Sequence, residues 1–128
     1  MYVTDTHAFL WFLTEDNRIG KKAKEVFISC DRGETIIVIP SIVLIEALFV
    51  CEKKKIDIEF KKILEKIQNS FNYPVYPLDI RIILECQSLK QLQDPHDRII
   101  VATAKLLNAT LITKDKNIKT SRLIKTIW

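Results

Sequence analysis

With 128 residues, 48% apolar and 28% charged, the chain has a globular composition and the length of one domain, residues 1–128. Its net charge of +4 permits an anionic partner without demanding one. The two glycines, Gly20 and Gly33, exclude a P-loop and a dinucleotide-binding turn, and three scattered cysteines beside two histidines give no zinc spacing. Those cysteines read as reduced core residues, and no basic segment precedes an apolar one at the N-terminus, so a cytoplasmic protein is expected.

Tyr2 and Val3 begin a short β-type run that stops at Asp5, and Ala8 to Leu13 continue as an apolar helix. A strand that hands over to a helix through a carboxylate suits an α/β sheet, where ligands bind at the carboxyl ends of the strands. Ile19, Ala23, Val26, Phe27 and Cys30 recur at helical spacing, with lysines opposite and Gly33 as the stop. Thr35 to Ile39 is a continuous β-branched run, the pattern of a strand covered on both faces. The apolar stretch from Ile36 to Cys51 is too short to span a membrane and is broken by Pro40.

Pro40-Ser41 opens a helix through about Lys54 that is apolar all round, which predicts a buried helix. Phe60, Ile63, Leu64, Ile67 and Phe71 trace an amphipathic partner, so residues 41 to 71 form a helical pair. Tyr73 to Tyr76 is a short strand, and Asp79 caps a helix through Leu89. Asp94-Pro95-His96-Asp97 opens another helix. Thr110 to Thr113 and Leu123 to Trp128 are the last strands, joined through Lys114-Asp115-Lys116. Five strands alternating with helices predict a parallel sheet with right-handed crossovers.

Glu46 is the only charge between Glu34 and Glu52, on a helix with no polar face and no basic residue within a turn. A buried carboxylate there needs a cation, a proton or a metal. Asp94 has the ordinary explanation of a helix cap before proline, and Asp97 that of an acid in a first helical turn. Asp5 and Asp115 each follow a strand, where turn residues are common. As a set, Asp5, Glu46, Asp97 and Asp115 can converge at one sheet edge. Two unit charges 4 Å apart then repel by about 4 kcal/mol at an effective dielectric of 20, which a divalent cation would offset. Oxygen ligands without His or Cys select Mg²⁺ or Mn²⁺. From residue 98 onward seven basic residues face one acid, a net +6, so a phosphodiester substrate fits beside the acids.

The order and spacing of these pieces resemble the PIN-domain ribonucleases, and closely the VapC-type toxins of toxin–antitoxin pairs. The matching stretches are Asp5 to Trp11, Pro40-Ser41 to Glu46-Ala47, Asp97 to Ala104 and Leu111 to Asp115. The resemblance implies a five-stranded parallel sheet in the order 3-2-1-4-5. It also implies RNA hydrolysis dependent on Mg²⁺ or Mn²⁺, leaving 5′-phosphate and 3′-hydroxyl ends, with homodimers and inhibition by a small antitoxin. Its metal site falls on Asp5, Glu46, Asp97 and Asp115, with Asp94 as an alternative ligand and Thr6 and Thr113 in support. Arg98, Lys114 and Lys116 are the expected RNA contacts. Phe9, Trp11 and Phe12, with the pair over 41 to 71, are expected to supply an apolar groove for the antitoxin.

Two other classes compete. An aspartyl-phosphate phosphotransferase or receiver also places acids at strand ends, but Asp5-Thr6-His7 lacks the D-x-D pattern and Thr4-Asp5 lacks the paired acids. A non-catalytic PIN-like module that binds RNA or protein gains nothing from buried carboxylates.

Overall fold

Val3 lies between Val38 and Leu111, in register with both, at the centre of an all-parallel sheet. In this computed structural model, which describes residues 1–128, the strands are β1 (Tyr2–Thr4), β2 (Ile37–Pro40), β3 (Val75–Tyr76), β4 (Thr110–Ile112) and β5 (Thr126–Ile127). They lie in the order β3-β2-β1-β4-β5, as the resemblance implies. Seven helices flank them: α1 (Thr6–Leu13), α2 (Lys21–Asp31), α3 (Ser41–Glu52), α4 (Phe60–Gln68), α5 (Ile80–Cys86), α6 (Pro95–Leu106) and α7 (Lys116–Ser121). No helix is long and apolar enough to cross a membrane.

The sheet is parallel because each strand is followed by helices that return the chain to its starting edge. Helices on both faces bury the central strands, and β2 is buried along its whole length. Ile36 stays exposed, so that strand begins two residues later than the β-branched run does. Phe9 and Phe12 both stack on Phe27, joining α1 to α2. Gly33, at φ +78°, ends the α2 segment in the left-handed region that glycine tolerates.

Several expectations change, among them the end of α5 at Cys86 and the start of β5 at Thr126. α3 is not buried all round: Val43 and Ala47 face the core, while Ile45 and Phe49 are about half exposed. Its first turns dock on the sheet and α1, but one apolar face is left uncovered within the chain. The helical pair stops at Gln68, and Phe71 is fully exposed beyond it. The link between β4 and β5 contains the short helix α7, capped by Asp115, where a plain turn is expected. Of the α1 aromatics, Trp11 and Phe12 line a separate open cleft of about 1070 Å³ with Leu13, Ile19 and Ile28. Phe9 is buried and Phe12 partly so against Phe27 of α2, while the buried Trp11 is covered by Trp128 and by Arg18 and Lys114. The uncovered apolar surface lies on α3 and on α5, through Ile80, Ile83 and Leu84.

Candidate active site

All five strands point their carboxyl ends to one edge, and the acids gather there. Asp5 directly follows β1, its backbone N–H donating to the Ile112 carbonyl of β4. One carboxylate oxygen of Asp5 caps α1 through the Ala8 amide at 2.9 Å. Asp115 caps α7 in the same way through the Ile118 amide, and its own amide donates to the Thr113 hydroxyl at 3.1 Å. Thr113 is buried beneath the site, and its side chain lies close enough to Asp5 to favour the charged carboxylate.

Glu46 projects from the second turn of α3, whose start follows β2 directly. The buried Thr6 hydroxyl donates to its Oε1 at 2.8 Å, and His96 Nδ1 lies 3.5 Å from its Oε2. Glu46 is therefore partly exposed and partnered, not the isolated buried carboxylate its apolar helix suggests. The partner escapes sequence reasoning because His96 is fifty residues away, on α6. Asp94 caps α6 through the amides of His96, at 2.7 Å, and Asp97, at 3.3 Å, with Pro95 in the first turn.

Asp5, Glu46, Asp94, Asp97 and Asp115 line one cleft of about 560 Å³, with Thr6, His7, His96, Ile100, Lys114, Lys116 and Trp128. Asp97 is half-buried, and its carboxylate accepts no hydrogen bond and makes no ion pair with the protein. Burial, and then the charges of Asp115, Asp94, Asp5 and Glu46, push its carboxyl up to about 6. Burial also raises Asp5, against the Thr113 side chain and the Ala8 amide that hold it down. No three of these acids and histidines are drawn together tightly enough to form a closed ligand set. Four of the five carboxylates are each held by a cap or threonine bond of their own. Hard oxygen donors, an uncompensated Asp97 and free space between them fit a divalent cation of the Mg²⁺ class.

The basic residues divide. Lys114 and Lys116 line the cleft beside the acids. Arg98 does not: its guanidinium donates to the Leu92 carbonyl behind the start of α6. The lining residues not read as site residues from the sequence are the two histidines, inside the acidic motifs, Ile100 on α6, and Trp128, which follows β5 at the same edge. Position after a strand is the signal that could have found Trp128.

A family model described as PIN domain matches residues 2–122. No curated protein matches the chain in sequence. Among solved structures, a toxin–antitoxin complex from Klebsiella pneumoniae is 18% identical, with a TM-score of 0.72 over 100% of this chain and 97% of that one. VapBC2 from Rickettsia felis, bound to a DNA fragment from its promoter, is 18% identical, with a TM-score of 0.75 over 99% and 98%. FitAcB from Neisseria gonorrhoeae is 14% identical, with a TM-score of 0.70 over 100% and 97%. At these identities the likeness is one of fold.

Proposed function

The chain belongs to the PIN domain family, and from that premise we propose that it is a divalent-metal-dependent endoribonuclease, the toxin of a toxin–antitoxin pair. The observation that carries the reading is the single cleft in which the carboxylates of Asp5, Glu46, Asp94, Asp97 and Asp115 meet Lys114 and Lys116. A pure binding surface for an anion would not place five acids in its floor. Residues 1–128 act as one PIN domain in the cytoplasm, with RNA as substrate.

Asp5, Glu46, Asp97 and Asp115 would hold Mg²⁺ or Mn²⁺. Asp94, whose Oδ1 is taken up by two amides, serves as cap rather than ligand. Bound there, the cation supplies positive charge for a phosphoryl oxygen and for the attacking water. Thr6 aims Glu46, the Ala8 amide holds Asp5 and Thr113 holds the Asp115 loop, so the carboxylates keep their geometry before substrate arrives. Lys114 and Lys116 bind flanking phosphates as point charges. Arg98 is assigned no RNA contact.

The solved neighbour named as a toxin–antitoxin complex supports a small antitoxin as partner. The exposed apolar faces of α3 and α5 support association with it and with a second copy of the chain. Incubating the protein with labelled structured RNAs, with and without EDTA, tests the activity. Cleavage that stops in EDTA and leaves 5′-phosphate and 3′-hydroxyl ends is expected. Cleavage indifferent to EDTA, or 2′,3′-cyclic phosphate ends, overturns it.

A further inference from the structure

Of the twelve residues that line the acidic cleft, only Ile100 and Trp128 are apolar, and Ile100 is 3% exposed. Trp128, intermediate in exposure, is therefore the one large apolar residue of the lining with accessible surface, among acids and lysines. It belongs to the partly buried residues packed against the core, not to the core itself.

The ring is held in place from two sides. Trp11, buried at 6% exposure, meets it edge to face at 5.9 Å and 69°. Gly20 lies beneath it: a Cβ at that position would fall 2.6 Å from the ring Cδ1 and 2.5 Å from the Trp128 carbonyl carbon. The backbone at Gly20 is extended at φ −67°, so the absence of a side chain serves this contact and not a turn. Trp11 also carries His7 at 5.4 Å and the Lys114 ammonium 4.7 Å from its ring centroid. Three lining residues of the cleft thus rest on one buried indole.

We infer that Trp128 is a substrate-binding residue that stacks an unpaired nucleobase of single-stranded RNA beside the phosphate facing the acids. The inference rests on the endoribonuclease reading. Single strands are held by pairing a cationic track for the backbone with an aromatic face for the base, and Lys114 and Trp128 supply both at adjoining positions. A preset ring loses little freedom when the base arrives.

The test uses the full chain in EDTA, so that binding is read without cleavage. The probes are a labelled octamer of adenylate and an abasic ribose-phosphate octamer of equal charge, followed by fluorescence anisotropy. The wild-type protein is expected to bind the adenylate octamer about tenfold more tightly than the abasic one. Trp128→Leu should bind both as weakly as the wild type binds the abasic probe. Gly20→Ala, which displaces the ring without removing it, should lose most of the same discrimination. Tryptophan emission gives a second reading: adenylate quenches it in the wild type and not in Trp128→Phe, where Trp11 alone remains. Equal wild-type affinity for the two probes, or full discrimination by Trp128→Leu, overturns the inference. Base-dependent binding without any RNA cleavage in Mg²⁺ would overturn the nuclease reading and leave the stacking role standing. Cleavage without base dependence does the reverse.

Discussion

The hydroxyl of Thr6, at the first position of α1, donates to Glu46 Oε1 across forty residues of chain. It is the one protein hydroxyl that reaches this carboxylate, and it is buried at 5% exposure. Thr6→Val keeps the shape and removes the donor. Glu46 then swings toward His96, and RNA cleavage should fall at least tenfold, with a stability cost of about 1 kcal/mol. Cleavage rates and urea midpoints check this; an unchanged rate removes Thr6 from the positioning of Glu46.

The acids of the Asp94-Pro95-His96-Asp97 turn do separate work. Asp94 accepts two first-turn amides, so Asp94→Ala should cost about 1 kcal/mol and Asp94→Asn little in stability or rate. Asp97→Asn removes a repelled charge at constant shape. Cleavage should drop steeply, while stability without metal rises by about 1–2 kcal/mol, discounted for the solvent around this half-buried group. If Asp94→Asn abolishes cleavage and Asp97→Asn cleaves normally, the assignment is reversed.

Metal-free stability should depend on pH in an unusual direction. The folded protein holds a proton on Asp97 up to about pH 6, whereas an ordinary aspartate releases it near 3.8. Between those values the folded state binds more protons, so stability falls as pH rises and levels off above the window. Asp5, raised by burial, acts in the same sense. Thermal midpoints in EDTA should be higher at pH 5 than at pH 7.5, and Asp97→Asn should flatten the difference. Midpoints that climb over this range contradict the cluster's electrostatics.

The half-exposed side chains of Ile80, Ile83 and Leu84 on α5 are the surface on which a homodimer would form. Light scattering at micromolar concentration should give twice the mass of one chain. Ile83→Glu with Leu84→Glu should give a monomer with an unchanged circular dichroism spectrum. A wild-type monomer at that concentration removes the dimer.

Local chemistry alone determined much of this protein. The apolar runs at Tyr2-Val3, Ile37 to Ile39 and Leu111-Ile112, rich in β-branched residues, mark strands suited to a sheet with both faces covered. The turn at Asp94-Pro95 marks a helix start by the geometry of proline and the capping carboxylate. With such elements alternating along the chain, handedness brings every strand's carboxyl end to one edge, and with it the acids of the sequence.

What only the tertiary structure decided is which side chains meet. The apolar sequence of α3 cannot tell a face that docks on the sheet from a face left uncovered, so Phe49 reads as core and stands half exposed. Glu46 reads as orphaned because Thr6 and His96, its neighbours in space, are forty and fifty residues distant. Arg98 reads as an RNA contact by its charge, yet the helix turns its guanidinium toward Leu92. Trp128 carries no motif at all. It becomes part of the cleft because β5 pairs with β4 in parallel, which places the residue after Ile127 beside the acids. Periodicity encodes which way a side chain points from its own element, but the contacts between elements arise only when the sheet closes their distances.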